Sequence, residues 1–292
     1  MKWIIEEGLK GMTIRDYLQQ VHGFSRAILK AAKFDGGTIK VNGREKTVRF
    51  SLSAGDELEI VLPAETIGQN LHPVEMHIPI LFEDDDIVII DKPAGVPVMP
   101  SYNHPVCSIA NGLLGYYQRN QIPYTIHVVT RLDRDTSGLM LVAKHRLSHS
   151  LLSASQKAGN LHRMYHAVVE GFLEKEQGTI DAPIGRKEGS IIERTVTSEG
   201  KKAVTHYRTL ASPDQRTLVE VNLETGRTHQ IRVHFAHIGH PLAGDDLYGG
   251  SSSLIGRQAL HCVQLEVEHP ATKKQMIFTS SPPGDMKQLI SR

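Results

Sequence analysis

The segment Arg131-Leu-Asp-Arg-Asp-Thr-Ser-Gly138 leads directly into the apolar stretch Leu139-Met-Leu-Val-Ala143, and it is the most informative part of this 292-residue chain. The apolar stretch predicts a buried strand. Asp133 lies between two arginines at the start of that strand, where a carboxylate is unfavourable unless it is paired or has a chemical role. We therefore take Asp133 as the candidate catalytic residue.

The octet also contains ordinary turn chemistry. Its second half, Asp-Thr-Ser-Gly, favours a turn, because short polar side chains bond the local backbone and Gly138 permits a positive φ. Arg131 and Asp133 are harder to explain in this way. In an extended segment residues i and i+2 point to the same face, so the spacing predicts a local ion pair between them.

Three further motifs occur in the chain. The first, Ile89-Ile-Asp-Lys-Pro-Ala-Gly95, precedes the octet. The second is Arg163-Met-Tyr165 followed by Ala167-Val-Val-Glu-Gly171, and the third is Leu223-Glu-Thr-Gly-Arg-Thr-His-Gln-Ile-Arg-Val-His234. In this order, together with the octet, they resemble the motifs of the RluA family of RNA pseudouridine synthases. The resemblance extends from about residue 80 to the C-terminus.

The resemblance implies an enzyme that isomerises uridine within RNA and needs no cofactor or metal. The glycosidic bond from the base nitrogen is broken, and the base reattaches through its carbon five. By the same resemblance Asp133 is the catalytic aspartate, Tyr165 packs on the target uracil, and Arg232 pairs with the aspartate. Arg131 would occupy the gap that the extruded nucleotide leaves. Two roles for Asp133 stay open, a nucleophile at the anomeric carbon or a base at the neighbouring ribose carbon.

A uridine inside folded RNA has to leave its stack before it can react. Extrusion costs a few kcal/mol, and stacking on Tyr165, worth about 1 to 3 kcal/mol, would offset part of that cost. The alternative interpretation of Tyr165 is a plain core aromatic.

Arg232 falls near the start of a helix predicted over Thr228 to Ile238, with Thr228 as its cap. A cation in the first turn is unfavourable by about 0.3 to 1 kcal/mol. A carboxylate partner would help to explain it.

Residues 12 to 62 predict a small unit of two helices and a sheet. Thr13 with Asp16 forms a capping box, and Ser25 can cap a second helix. Asn42-Gly43 signals a hairpin between strands. This pattern resembles the S-four-type RNA-binding module. The alternative is a small α+β domain without a specific RNA-binding role. The candidate RNA-binding residues on its second helix are Arg26, Lys30 and Lys33.

We predict an α+β fold whose catalytic part is a mostly antiparallel mixed sheet. We expect an S-four-like RNA-binding domain at residues 1–62 and the catalytic domain at residues 80–292. Residues 63–79 between them are expected to form a polar and irregular linker. Strands are predicted at Ile87 to Ile90, Gly138 to Ala143, Tyr165 to Val169, Val204 to Leu210 and Thr217 to Leu223, and helices at about Ser108 to Arg119, His145 to Lys157 and Thr228 to Ile238.

Composition limits the remaining classes of protein. The formal net charge is only +1, but nucleic-acid binding needs a basic patch and not a basic total. Cys107 and Cys262 are far apart in the sequence, and their spacing fits neither a disulfide framework nor a metal site.

No apolar run approaches the roughly 18 residues of a membrane span, and the first residues do not resemble a signal peptide. The expectation is a cytoplasmic protein that does not contact a membrane and is a monomer.

Rival interpretations come from the histidines and the acidic residues. His234, His237 and His240 recur every three residues, which raises the possibility of a metal hydrolase, but the H-E-x-x-H pattern of such enzymes is absent. The run Glu83-Asp-Asp-Asp86 is interpreted as a solvated turn and less readily as a metal site. A non-catalytic RNA-binding or ribosome-associated factor on the same fold is the third alternative.

The sequence leaves the RNA target open. An S-four-like module beside this catalytic domain favours large-subunit ribosomal RNA, while transfer RNA remains the alternative.

Overall fold

The computed structural model describes residues 1–69, 71–101, 105–212 and 214–290. The strands are β1 (Lys2–Ile4), β2 (Thr38–Val41), β3 (Arg44–Glu45), β4 (Glu57–Val61), β5 (Ile80–Glu83), β6 (Ile87–Lys92), β7 (His127–Val128), β8 (Ser137–Ala143), β9 (His162–Glu170), β10 (Gln177–Asp181), β11 (Ile184–Arg186), β12 (Arg194–Val196), β13 (Val204–Ala211), β14 (Arg216–Leu223), β15 (Leu260–Glu268) and β16 (Gln275–Thr279). The helices are α1 (Ile14–Asp16), which continues as a π-helical turn at Tyr17–Val21, α2 (Arg26–Phe34), α3 (Ile109–Arg119), α4 (Arg146–Lys157), α5 (Gln230–His237) and α6 (Gly284–Ile290), with 3-10 turns at Glu7–Leu9 and Asp246–Tyr248.

A large sheet organises most of the chain. Its strand order is β10-β13-β14-β9-β15-β8-β6-β5, with β16 beside β15 and β7 beside β8. Among the pairings of the described residues in this sheet, only that of β15 with β8 is parallel. The predicted α+β class with a mostly antiparallel mixed sheet is confirmed.

Strand β8 explains why the apolar run after the octet is so long. Every residue of β8 is buried, since the strand pairs with both β6 and β15 and its side chains belong to the main hydrophobic core. That core also takes in apolar side chains from α3, α4 and α5. Burial of both faces removes the alternation that a half-exposed strand would show.

The predicted strands and helices of this part are confirmed within a few residues, but several further elements were missing from the prediction, among them β15. Its Val263, Leu265 and Val267 are buried and alternate with Gln264 and Glu266, which is a recognisable strand pattern. The strand lies in the middle of the sheet, between β9 and β8.

The predicted cap of α5 is wrong. Thr228 does not cap the helix, because the N-cap residue is His229, which adopts the left-handed conformation with φ +58°. The turn before the helix is closed by Gln230, whose side-chain oxygen accepts hydrogen bonds from the Thr225 hydroxyl at 2.8 Å and from the Arg227 N–H at 2.9 Å. The helix therefore begins at Gln230, after a turn that its own side chain closes.

The N-terminal residues form a second sheet, in the order β1-β4-β2-β3, with α1 and α2 packed on it. The two predicted N-caps are confirmed: the Thr13 and Ser25 hydroxyls accept the N–H groups of Asp16 and Ile28. The full capping box predicted for Thr13 is wrong, because the Asp16 carboxylate accepts the Thr13 hydroxyl proton and not the Thr13 N–H. Asn42 and Gly43 both have positive φ in the tight turn between β2 and β3, as the hairpin signal requires. This sheet has its own core, which Leu147 and Leu151 of α4 join.

The segment between the two sheets is irregular, but it is not loosely held. Glu65 accepts a hydrogen bond from the Arg146 N–H at the start of α4 at 2.8 Å, and its carboxylate also pairs with His127. Burial raises the pKa of Glu65, but the hydrogen bond from His127 and the contacts with Arg146 outweigh it and lower the pKa to about 2. The segment is thus anchored to the large sheet by a buried carboxylate.

The exact division of the chain at residues 62 and 79 stays a prediction. Residue 70 of the predicted linker and residues 102–104, 213 and 291–292 of the predicted catalytic domain lie outside the described residues. None of the helices within the described ranges combines the length and apolar composition of a membrane span.

Gly138 lets the octet approach the centre of the sheet. It has φ +106°, and a Cβ atom there would lie 2.4 Å from the carbonyl oxygen and 2.6 Å from the nitrogen of Cys262 on β15. Those atoms are backbone of the paired strand, so they have little freedom to move away. Only glycine satisfies both the conformation and the close approach.

We predict that Gly138→Ala lowers the free energy of unfolding by roughly 2 to 5 kcal/mol, because it adds both backbone strain and overpacking. The control is Gly55→Ala, which has φ +82° with open space around the added methyl group. It should cost only about 1 to 2 kcal/mol. Urea unfolding of both variants measures the difference, and equal losses would contradict the close-approach argument.

Candidate active site

A cavity of about 670 Å³ lies where the octet, strand β9 and the start of α5 meet. Six arginines line it, namely Arg131, Arg134, Arg163, Arg194, Arg227 and Arg232. Asp133 is the one acidic residue among the lining residues of the described chain. A concave surface of this charge attracts a polyanion and places a single carboxylate inside it.

Asp133 is held from one side. Its Oδ2 lies 3.5 Å from Nη1 of Arg232 and 3.9 Å from Nε2 of His229, and 26% of its side chain is exposed. The closest approach of each of these two side chains to the carboxylate is therefore to Oδ2. The partial exposure leaves the group accessible from the cavity.

Arg232 is itself fixed by a second carboxylate. Its Nε and Nη2 each donate a hydrogen bond of 2.7 Å to Asp245, and the side chains of Arg232 and Asp245 are 8% and 0% exposed. Burial lowers the pKa of Arg232, but the hydrogen bonds and charge of Asp245, with the charge of Asp133, outweigh it and raise the pKa. The bidentate pair fixes the plane of the guanidinium and directs Nη1 towards Asp133.

Tyr165 is both a core residue and a residue of the cavity wall. It is 4% exposed and belongs to the main core, yet it also lines the cavity. Its hydroxyl accepts a hydrogen bond of 3.3 Å from Nη1 of Arg163. Burial raises the pKa of Tyr165, so the ring is a neutral surface beside Asp133.

Lys92, at the end of β6, is hydrogen-bonded to the backbone of the octet. Its ammonium group is fully buried and donates hydrogen bonds to the carbonyl oxygens of Pro93, Val96 and Arg134 at 2.7 to 2.8 Å. Burial lowers the pKa of Lys92 to about 7, against the charges of Asp135 and Asp133, which raise it. The three carbonyl oxygens accept all three N–H groups of a protonated Lys92, so the hydrogen bonds around Nζ match the charged form of the side chain.

Comparison with known proteins agrees with this geometry. A profile of the family described as RNA pseudouridylate synthase matches residues 86–237, which contain the octet, Tyr165 and Arg232. The chain belongs to this family. It is an RNA pseudouridine synthase, an isomerase that acts on RNA.

Relatives match nearly the whole length of this pseudouridine synthase. The Bacillus subtilis RNA pseudouridine synthase YjbO is 49% identical over 96% of this chain and 98% of its own length. The ribosomal large subunit pseudouridine synthase D of Pseudomonas aeruginosa is 40% identical over 87% of this chain and 83% of its own. The structure of human RNA pseudouridylate synthase domain containing 1 is similar in fold, with a TM-score of 0.58, 23% identity and coverage of 71% of this chain and 84% of that one.

The local ion pair predicted between Arg131 and Asp133 is wrong. Asp133 pairs with Arg232, while Arg131 is exposed at the cavity. The strand begins only at Ser137, and the Thr136 N–H donates to the Asp133 carbonyl in a turn. Residues 131–133 are therefore not part of a strand, and the alternation on which the prediction relied does not apply.

Three residues of the site were not predicted from the sequence: Asp245, His229 and Tyr248. His229 stands inside the third motif, so its position was visible but its role was not. Asp245 and Tyr248 belong to the stretch Gly244-Asp-Asp-Leu-Tyr-Gly249, which by itself is typical of a turn. No local signal links that turn to Arg232, because the contact is tertiary.

The predicted RNA-binding residues Arg26, Lys30 and Lys33 lie elsewhere. With Arg15 and Phe34 they line a second hollow of about 380 Å³ at α2.

The metal hydrolase alternative does not fit the histidines. Nδ1 of His234 lies 2.9 Å from the Thr205 hydroxyl and Nε2 lies 2.9 Å from the Ala182 carbonyl oxygen, so both ring nitrogens are engaged in the fold. His237 is exposed at the end of α5, and His240 contacts the Glu170 carbonyl oxygen.

The acidic run is a turn, as predicted, but it is only partly solvated. Glu83 pairs with Lys144 at 2.7 Å, and Asp86 accepts a hydrogen bond from Ser148. Asp84 pairs with Nε2 of His269 at 2.8 Å, and together with Asp86 these residues come close enough to hold a metal ion. Nδ1 of His269 accepts two backbone N–H groups, so the ring proton lies on Nε2 and points to Asp84. The cluster is thus accounted for as a hydrogen-bonded network.

We predict that Lys92→Met lowers the stability by roughly 3 kcal/mol or more, since three buried carbonyl groups lose their donors. The octet should also lose its position, so the single-turnover rate should fall more than the affinity for RNA. Lys144→Met is the control, because Lys144 is buried at the opposite end of β8 and pairs with Glu83. It should lose stability but keep the single-turnover rate. Equal rates for the two variants would refute the supporting role of Lys92.

Proposed function

We propose that Asp133 is the catalytic residue of this pseudouridine synthase and acts on the ribose of the target uridine through Oδ1. The observation that carries the proposal is the isolation of this one carboxylate among six arginines, with Arg232 and His229 both approaching it most closely at Oδ2. Oδ1 is then available to the substrate. It either attacks the anomeric carbon or removes a proton from the neighbouring ribose carbon.

The cavity offers partners for the other parts of the nucleotide. Tyr165 lies beside Asp133 and has a neutral ring on which the extruded uracil can pack, worth about 1 to 3 kcal/mol. Arg131 is exposed at the cavity, where its side chain can enter the gap that the uridine leaves in the RNA. The remaining lining arginines suit the phosphates on either side of the target.

We propose further that residues 1–62 form an S-four-like RNA-binding domain, joined by residues 63–79 to a catalytic domain of residues 80–292. Support comes from the separate sheet and core of the N-terminal residues and from the charge of α2. Arg26, Lys30 and Lys33 share one hollow with Arg15, and Phe34 beside them is 66% exposed. Cations around an exposed aromatic ring are suited to single-stranded RNA.

Large-subunit ribosomal RNA is the proposed target. The support is the name of several relatives, among them those of Pseudomonas aeruginosa and Nitrosomonas europaea, as ribosomal large subunit pseudouridine synthase D at about 40% identity. Transfer RNA is the alternative substrate, and it becomes an outcome of the experiment.

We expect the purified enzyme to release tritium from ribosomal RNA that is labelled at carbon five of uracil and made in cells lacking this protein. Asp133→Asn should lower that release by at least about 1,000-fold, because the isosteric amide cannot replace the reactive carboxylate. Its dissociation constant for the same RNA should stay within a few-fold of the wild-type value.

Asp135→Asn is the matched control, since Asp135 is two residues away and does not line the cavity. It should keep most of the turnover. Appreciable release by the Asp133 variant would refute the catalytic role. Release from the transfer RNA pool alone would refute the ribosomal target while leaving the role of Asp133 intact.

The triple variant Arg26→Ala, Lys30→Ala and Lys33→Ala should weaken binding of the target RNA. Each lost phosphate contact lowers the slope of log affinity against log salt by about 0.7 to 0.9, so three contacts predict a decrease of about 2 to 3. The single-turnover rate at saturating RNA should not change. A control triple variant of the exposed Lys10, Lys175 and Lys274 keeps the loss of net charge equal. Identical salt slopes for the two variants would rule out α2 as an RNA contact.

A further inference from the structure

His229 occupies an unusual backbone position next to Asp133. It is the N-cap of α5 with φ +58°, a conformation that costs a residue with a side chain about 1 to 2 kcal/mol. Its ring is largely buried, with Nδ1 2.8 Å from the Tyr248 hydroxyl and Nε2 3.9 Å from Oδ2 of Asp133. The strained backbone thus aims one ring nitrogen at a tyrosine and the other at the carboxylate.

The hydrogen bonds of Tyr248 are compatible with a ring of His229 that is protonated on Nε2. The Arg194 N–H can only donate, and it donates to the Tyr248 hydroxyl oxygen at 2.9 Å. The hydroxyl proton of Tyr248 is therefore free to be donated to Nδ1 of His229. A neutral imidazole that accepts at Nδ1 carries its proton on Nε2, the atom that faces Asp133.

The surroundings favour the neutral ring. Burial lowers the pKa of His229, and the charges of Arg232 and Arg194 lower it further, against the opposite effect of Asp133 and Asp245. The neutral form has an N–H group to offer at Nε2 without adding a further positive charge beside Arg232.

We propose that His229, oriented by Tyr248, is a positioning residue for Asp133: its Nε2–H and Nη1 of Arg232 hold Oδ2 together, so that Oδ1 faces the ribose of the target uridine. The inference rests on the proposed catalytic role of Asp133. At 3.9 Å the imidazole contact is longer than a hydrogen bond, so a shift of about 1 Å on substrate binding completes it.

Tyr248 contacts both of the side chains that approach Asp133. Its hydroxyl bonds His229, and the guanidinium carbon of Arg232 lies 5.0 Å from the centre of its ring. Tyr248→Phe removes only the hydroxyl and leaves the ring beneath Arg232. This separates the effect on His229 from the effect on Arg232.

Two substitutions of His229 test the proposal in the full-length enzyme with its RNA substrate. Asparagine tolerates the left-handed conformation and is a good N-cap, but it is too short to reach Asp133. Glutamine places an amide N–H group near the position of Nε2. His229→Asn should lower the single-turnover rate at saturating RNA by about 10- to 100-fold, as expected for a misplaced reacting group. His229→Gln should recover at least about tenfold of that loss, with the RNA dissociation constant unchanged within about twofold for both.

The link to Tyr248 is tested by a double-mutant cycle. Tyr248→Phe should lower the rate in the wild-type background and change it by less than about twofold when His229 is already Asn. His237→Asn, at the exposed end of the same helix, is the control and should keep the wild-type rate.

A wild-type rate for His229→Asn would overturn the proposal, and so would equal losses for Asn and Gln accompanied by weaker RNA binding, since that result indicates a structural role. Additive losses for Tyr248→Phe would overturn the orienting role. The Asp133→Asn measurement tests the catalytic role of Asp133 separately from the positioning role of His229. An inactive Asp133→Asn variant together with a fully active His229→Asn variant would refute only the positioning role.

Discussion

The buried pair between Arg232 and Asp245 is the interaction on which the active site depends. A guanidinium this far from water is unfavourable unless its N–H groups are satisfied and its charge is compensated. Asp245 does both, through two hydrogen bonds of 2.7 Å from Nε and Nη2. The third nitrogen, Nη1, then has one direction open to it, towards Asp133 at 3.5 Å. A pair of this kind adds little net stability, but it determines where the remaining charge points.

The position of Asp133 depends on backbone contacts rather than on its own side chain. Gly138 brings the start of β8 against Cys262 of β15, and no other residue type could approach as closely. Lys92 holds the Arg134 carbonyl oxygen from beneath the same loop. The loop that carries Asp133 is thus held at Arg134 by β6 and at Gly138 by β15, the two strands that neighbour β8. This rigidity suits the catalytic role proposed for Asp133, because a small displacement of a reacting group is costly.

Charge is distributed unevenly over this nearly neutral protein. Six arginines surround one carboxylate in the cavity, and a second group of cations lies along α2. Glu65 anchors the connecting segment to the start of α4, and Leu147 and Leu151 of that helix join the N-terminal core. The two basic regions are therefore held by packed structure and not joined by a loose chain. A long RNA that binds both would be constrained in how it enters the cavity.

Local patterns in the sequence determined the strands and helices that carry the motifs, because caps, glycine turns and apolar runs act over a few residues. The N-cap at Thr13, the hairpin at Asn42-Gly43 and the buried run of β8 are all of this kind. The motifs also pointed to Asp133, Tyr165 and Arg232 as one site.

What the sequence could not determine was which side chains these site residues contact. Asp245 and Tyr248 come from a turn that looks ordinary in isolation, and the left-handed start of α5 at His229 overrides the cap expected at Thr228. Arg131 was paired with Asp133 on the assumption of an extended strand, whereas the chain turns there instead. That turn is local. The contacts of Arg232 with Asp245 and of His229 with Tyr248 belong to the tertiary structure, because they require separate segments of the chain to meet, and local residue preferences carry no record of that meeting.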